Sequence, residues 1–275
     1  MILPKKIVVK LIEKYEEYDI ELCLNDSYVA KKKALLAKFV ITHHDLFCFV
    51  ENTKSIKFTY FLYDRWLVSF AIRNAFGPDI ENKVIHDIKF KDMCYIKFRK
   101  FSSETVNTVA SIIREAKQKQ LILDLRNNIG GNLQSCLELL NMMVPEGEVL
   151  RIQTKNDFKY FYANGKAKKF EKIYVLINEN TASCSEITSV VLYKKLDNVV
   201  LIGHKKSHKL YTQHVITNKL LGYSFSIADG IWYVDNEDAS CLSKYLLAKN
   251  ENWTELNDYL KFILLFREDK MHFSE

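Results

Sequence analysis

The sequence predicts an α/β chain with a small α+β subdomain at its N-terminal end, and three observations predict it. From residue 84 onward, short apolar runs that read as buried strands alternate with segments at helical spacing. Residues 1–73 follow another order, helix-spaced segments and then alternating aromatic and polar residues. Between the two lies Phe76-Gly-Pro-Asp79, the clearest break in the chain, because proline fixes φ where glycine frees it. The expected domains are therefore 1–78 and 79–275, a reasonable division for 275 residues.

Residues 7–18 and 28–40 carry apolar side chains at helical spacing, and Ser27 is placed to cap the second helix. The alternation in Ile56-Lys-Phe-Thr-Tyr60 and Trp66-Leu-Val-Ser-Phe70 predicts a hairpin around Asp64 and Arg65. A region of this size suits a lid, a substrate-docking module or a dimer contact.

Past the break, strands are expected at 84–90 and 94–98, a helix at 104–118, a strand from Leu121, and a helix at 133–143 whose glycine start fits an anion-facing turn. Strands at 149–154 and 159–162, around an Asn164-Gly165 turn, precede the apolar strand 173–177. A helix at 187–196 and a strand at 199–203 follow. Residues 223–227 and 231–234, separated by Ala228-Asp229-Gly230, read as a hairpin. Over 253–266, Leu256, Leu260, Ile263 and Leu264 fall on one face of an amphipathic helix, a core stripe.

Composition narrows the function classes. A 48% hydrophobic content supports a substantial core, and no apolar run approaches the ~20 residues of a membrane span, so no integral membrane segment is expected. The net charge of +6 is spread over three lysine-rich stretches, without the concentrated basic and aromatic motif of a nucleic-acid binder. Met1-Ile-Leu-Pro followed by two lysines, with Glu13, Glu16 and Glu17 soon after, is not the pattern of a secretory signal. The six cysteines show no paired spacing and read as reduced, mostly buried thiols. A cytoplasmic address is the expectation.

The chemistry concentrates in Asn180-Thr-Ala-Ser-Cys-Ser-Glu186, which joins the apolar strand at 173–177 to a helix. A serine at such a junction sits at a positive helix N-terminus beside unpaired backbone N–H groups, a natural place for a nucleophile. The same residues also make an ordinary helix cap. Upstream, Leu121-Ile-Leu-Asp-Leu-Arg-Asn-Asn-Ile-Gly-Gly131 reads as a buried strand entering a turn whose glycines permit close backbone approach. Downstream, Val199-Val-Leu-Ile-Gly203 leads into a basic, histidine-rich loop containing Lys209 and Gln213.

Taken in order, Asp-Leu-Arg-Asn-Asn-x-Gly-Gly, Asn-x-x-Ala-Ser-x-Ser-Glu, and a glycine with Lys six residues on and Gln four further resemble the C-terminal processing (tail-specific) serine peptidases of family S41. The resemblance runs from about Tyr95 to Asp235. It implies a ClpP/crotonase-like catalytic core and a peptide or protein substrate, without metal or organic cofactor. It further implies Ser183 as nucleophile, Lys209 as general base, Gln213 as the residue orienting that base, and an oxyanion hole from Gly130 or Gly131 together with the Cys184 amide.

The chemistry is coherent. A free lysine, with a pKa near ~10.4, accepts a serine proton at neutral pH only if burial lowers that value by several units, so Lys209 must be desolvated. Family members usually place glycines on both sides of the lysine, where this chain has His208 and Leu210, and the spacing from Ser183 to Lys209 is one residue longer. Most members also carry a PDZ domain, and residues 1–90 hold no counterpart of its carboxylate-binding loop. Specificity is then left to the N-terminal region, to a partner protein, or to a homo-oligomer that encloses the site.

Other readings of these residues are blander. Cys184 as a thiol nucleophile lacks a local histidine signature. His204, His208 and His214 as zinc ligands lack a Glu beside the first histidine, and a solvated cluster fits them better. Asp124 and Arg126 read as an ion pair holding the glycine turn, and Glu186 as a dipole-favoured cap. Two functions from different classes remain: an active serine endopeptidase with a Ser183–Lys209 dyad, or a weak or inactive S41-like protein serving as a peptide-binding module.

Overall fold

A computed structural model describes residues 1–53, 59–62, 85–87, 93–205, 208–218, 220–247, 253 and 255–272. In chain order the described elements are β1 (Ile2–Leu3), α1 (Lys5–Tyr18), α2 (Asp26–Ala37), β2 (Ile41–Thr42), α3 (His43–Thr53), β3 (Tyr60–Leu62), β4 (Ile85–Asp87), β5 (Met93–Lys97), α4 (Ser103–Glu115), β6 (Gln120–Asp124), α5 (Leu133–Asn141), β7 (Gly147–Thr154) and β8 (Phe158–Ala163). They continue with β9 (Lys172–Ile177), α6 (Cys184–Lys195), β10 (Val199–Gly203), β11 (Tyr211–Asn218), β12 (Tyr223–Tyr233), a 3-10 turn (Ala239–Cys241), α7 (Leu242–Tyr245) and α8 (Leu256–His272). The Phe76–Asp79 break and most of the hairpin expected around Asp64 lie outside the described residues.

The chain forms two compact units, the first made of Met1–Asp79, Ile152–Lys159 and Tyr211–Trp232. Helix α1 buries Val8, Leu11, Ile12 and Tyr15, one stripe at i, i+3, i+4 and i+7 spacing, in a core shared with Leu46, Phe61, Phe225 and Ile227. Helix α2 starts at Asp26 and is capped by Asn25, whose side chain accepts from the Tyr28 N–H at 2.9 Å, in place of Ser27. Helix α3 and the β1–β2 pair were not foreseen in the pattern of the sequence.

The expected hairpin at 223–234 is instead one long strand. β12 runs through Ala228-Asp229-Gly230 and pairs antiparallel with β11 on one edge and β3 on the other. The ladder passes from Thr212↔Gly230 to Gln213↔Ala228, so Asp229 is the extra residue of a bulge, and Thr212 Oγ1 donates to its carboxylate at 2.8 Å. Gly230 serves close packing rather than a turn: a Cβ there would lie 2.6 Å from Ile152 Cγ2. The turn between β7 and β8 is likewise earlier than Asn164-Gly165, closed by Thr154 N–H to the Asp157 carbonyl at 2.7 Å.

The second unit, Ile80–Arg151, Tyr160–Leu210 and Tyr233–Glu275, holds a five-stranded sheet in the order β10-β9-β6-β5-β4. Strands β5, β6, β9 and β10 are parallel and β4 is antiparallel to β5. The central strands have apolar interiors, Leu121–Leu123 in β6, Ile173–Ile177 in β9 and Val199–Ile202 in β10, as both-face burial requires. Helix α8 places Tyr259 and Ile263 in one core cluster with Met93, Ile122, Tyr174, Leu176 and Ile202. Leu264, expected on the same face, is exposed, because the buried stripe is centred on Tyr259 and Ile263 and Leu264 falls past its edge.

Parallel strands all end on one edge. The C-terminal ends of β6, β9 and β10 deliver, side by side, the glycine turn, the serine turn and the residues that lead to Lys205 and Lys209. The close approach has a local cause: a Cβ at Gly203 would lie 2.0 Å from the Ile177 carbonyl oxygen.

Candidate active site

Ser183 closes the turn after β9 and immediately precedes α6. Its backbone has φ 57° and ψ −120°, a region that side-chain-bearing residues rarely adopt and that costs on the order of 1–3 kcal/mol. This is the geometry of a nucleophile elbow, a sharp strand-to-helix turn that presents the serine at the sheet edge. Helix α6 is buried from Cys184 to Leu192, which seats that turn firmly.

The glycine turn is pressed against it. A Cβ at Gly130 (φ +93°) would lie 2.6 Å from Ser183 Cβ and 3.0 Å from the Cys184 nitrogen. Gly131 (φ +145°) passes Phe101 so closely that a Cβ would meet its carbonyl oxygen at 2.2 Å. The Gly130 N–H donates to Asn128 Oδ1 at 3.0 Å, which commits that amide within the turn itself.

Two asparagines that sequence reasoning passed over hold the turns together. The buried Asn128 also donates from Nδ2 to the Phe98 carbonyl at 2.9 Å, and the Ala182 N–H donates to the Asn128 carbonyl at 2.9 Å. Asn127 (φ 61°) accepts on Oδ1 from the side-chain amides of Asn178 and Asn180 at 3.0 and 2.9 Å. Below them Arg126 makes a two-pronged ion pair with the buried Asp124, at 2.8 and 2.6 Å, and Tyr95 donates to the same carboxylate at 2.7 Å. Burial alone would raise the Asp124 pKa, but Arg126 and Lys97 overcome it and hold the carboxyl below its ordinary value.

Lys209 is mostly buried, and burial lowers its pKa, opposed by the nearby Cys184 and Glu186. Its N–H donates to Glu186 Oε2 at 3.2 Å, while the Ser183 N–H donates to the same oxygen at 2.8 Å. The fully buried Glu186 thus grips the backbone of both residues. Lys205 lies 3.6 Å from Glu186 and also donates to the Thr181 carbonyl, and His208 Nδ1 lies 3.3 Å from Glu186 Oε1. Glu186 is more than the cap expected of it.

Cys184 turns its thiol inward, to the Gly131 carbonyl at 3.4 Å, and is 2% exposed, a packing contact rather than a nucleophile's setting. Cys136, which contacts the Cys184 carbonyl at 3.5 Å, has its thiol pKa raised by burial. The three histidines have separate neighbours: His204 faces Glu179 at 3.1 Å, His208 faces Glu186 and Ser243, and His214 stacks on Tyr18. Among the described residues no group of three or more His, Cys, Asp or Glu could hold a metal ion. Gln213 lies on β11 in the first unit, where its amide nitrogen donates to Ser226 Oγ at 3.0 Å.

A parallel sheet whose C-terminal edge carries an elbow serine against a glycine turn defines an α/β protein with a ClpP/crotonase-like core. Residues 92–228 match the model of Peptidase family S41, and with that match this segment belongs to the S41 peptidases. The carboxyl-terminal-processing protease of Synechocystis sp. is 32% identical over 115 residues, covering 40% of this chain and 27% of that protein. The carboxy-terminal processing protease CtpA of Bacillus subtilis is 29% identical over 160 residues, covering 54% and 34%. The chain thus spans about a third of the length of these relatives. Among solved structures, a lipoprotein from Streptococcus agalactiae superposes with a TM-score of 0.71 at 15% identity, covering 92% of this chain and 94% of that one, a likeness of fold.

Proposed function

We propose that the chain is a serine endopeptidase acting on peptide or protein substrates, with Ser183 as nucleophile and Lys209 as general base. The observation that carries this reading is the elbow at Ser183, held in a strained conformation with Gly130 against it. Strain of this kind persists only where the surroundings over-determine it, and here it holds a half-buried serine beside the first amides of a helix. The lowered pKa of Lys209 supports the second half of the dyad, since a base must be neutral to take the serine proton.

In the proposed cycle Ser183 Oγ attacks the scissile carbonyl and its proton passes to Lys209 Nζ. The collapsing intermediate expels the amine, which takes up that proton, and water releases the acyl group by the reverse path. With the Gly130 amide committed to Asn128, the amides of Gly131 and Cys184 are assigned to the developing oxyanion. Gln213 is assigned the orienting role on the S41 resemblance.

The test is intact-protein mass spectrometry after treatment with a fluorophosphonate, comparing wild type, Ser183→Ala and Lys209→Ala. Labelling of wild type alone is expected. Labelling that survives Ser183→Ala would remove the assignment, and an inert wild type would favour the peptide-binding alternative.

A further inference from the structure

The residue before Lys209 is a histidine, and its side chain has a defined place. His208 Nε2 lies 2.9 Å from Ser243 Oγ, and Nδ1 lies 3.3 Å from Glu186 Oε1. Ser243 in turn donates to the Lys205 carbonyl at 3.2 Å. The imidazole is largely buried, with 11% of its side chain exposed.

Ser243 stands on a fixed platform. Tyr245 of α7 stacks on Tyr193 of α6 with ring centroids 4.5 Å apart, and the Leu247 N–H donates to the Leu201 carbonyl of β10 at 2.9 Å. The other end of the bridge, Glu186, is fully buried and holds the Ser183 and Lys209 amides. His208 therefore ties the backbone that carries Lys209 to two elements that do not depend on it.

We propose that His208 is a positioning residue, bridging Glu186 and Ser243 so that Lys209 is held in register with Ser183. This rests on the Ser183–Lys209 reading above. A glycine at this position would have no side chain to make the bridge. Ser243, His208 and Glu186 also follow one another as a nucleophile, base and acid would. The Ser243 hydroxyl, however, sits within a short helix and donates to a backbone carbonyl, without the strained elbow found at Ser183.

The experiment is a time course of fluorophosphonate labelling, with the modified residue located by peptide mapping, for wild type, His208→Gly, His208→Gln, Ser243→Ala and Lys209→Ala. His208→Gly is expected to lower the limiting labelling rate at Ser183 by about ten- to a hundred-fold, the scale of a misplacement of about 1 Å at reacting atoms. The reagent concentration for half-maximal rate should stay unchanged. His208→Gln, whose amide stays attached to the backbone and can hydrogen-bond to Ser243 or Glu186, should keep more of the rate than His208→Gly, a difference that a general loss of structure would not produce. Ser243→Ala removes the anchor but keeps the imidazole, and should slow labelling several-fold even if His208→Gly does not fold. Wild-type labelling at Ser183 with His208→Gly and Ser243→Ala at wild-type rate would overturn the proposal and leave the dyad standing. Labelling of Lys209→Ala at the wild-type rate, with His208→Gly inert, would make the histidine the base and overturn both. Label on Ser243 in place of Ser183, or no label on wild type, would also remove both.

Discussion

The Cβ that any residue other than glycine would carry at position 130 lies 2.6 Å from Ser183 Cβ. Gly130 and Ser183 therefore share one volume, and each constrains the other's backbone. Gly130→Ala is expected to push the serine turn off its strained geometry, because the atoms the new methyl would meet, Ser183 Cβ, the Ala182 carbonyl oxygen and the Cys184 nitrogen, are all fixed to that turn. Fluorophosphonate labelling should fall by about 10²-fold, the scale of a misplacement of about 1 Å at the reacting atoms. A wild-type labelling rate in a folded Gly130→Ala protein would show that the turn does not govern the serine.

Lys209 should cost the protein stability while serving its chemistry. Its pKa is lowered in the folded chain, by burial first, so the unfolded chain binds more protons than the folded one between the folded value and about 10.5. Stability then rises with pH through that window, and the penalty is fully present below the folded pKa. Lys209→Met removes the buried amine and keeps its volume, so it should melt higher than wild type near neutral pH, with the gap closing as pH approaches 10.5. Thermal melts of both proteins across that range check this, and an equal gap at every pH would show the gain to be packing alone.

The parts of this architecture that announce themselves in the sequence are those with local causes. The apolar runs at β6, β9 and β10 are strands because both faces are buried, and the glycines after β6 mark a turn that comes against another chain segment. Ala228-Asp229-Gly230 misleads for the complementary reason. Its residues suit a turn locally, but pairing with β11 turns Asp229 into a bulge, which only the partner strand defines. The same holds at the site: Ser183 and Lys209 are proposed from a resemblance carried by short local motifs, whereas His208 meets Glu186 and Ser243 across 22 and 35 positions of sequence. Nothing in its immediate surroundings distinguishes it from a solvated histidine. Asn127 and Asn128 were hidden similarly, since a pair of asparagines before two glycines reads first as turn chemistry.

Asn128 is the strongest test of the link between the glycine and serine turns. Its side chain accepts from the Gly130 N–H and donates to the Phe98 carbonyl, in a buried position. Asn128→Ala would leave both backbone groups without their partner, each worth about 1–3 kcal/mol. Denaturant unfolding should show a loss of that order. Asn128→Asp keeps the acceptor for Gly130 but loses the donor to Phe98, so it should retain more labelling at Ser183 than the alanine variant. Equal labelling in the two would mean that the Gly130 contact does not shape the site.

The ion pair beneath the turn gives the remaining prediction, and here breaking differs from replacing. Asp124 and Arg126 are buried, joined by two side-chain hydrogen bonds, and Arg126 also lies over the Tyr259 ring at 4.4 Å. Removing one partner strands the other charge in a site that water does not reach. Asp124→Ala should therefore cost about 3–5 kcal/mol in unfolding free energy. In the wild type the carboxyl's lowered pKa means that the pair's contribution is complete above the ordinary value of 3.8 and is lost as pH falls through the folded one. Acid titration followed by far-UV circular dichroism should show wild type losing stability across that range, while Asp124→Asn, which has no proton to gain, shows a shallower dependence. If the two acid transitions coincide, other carboxylates govern acid unfolding and the pair serves only to shape the turn.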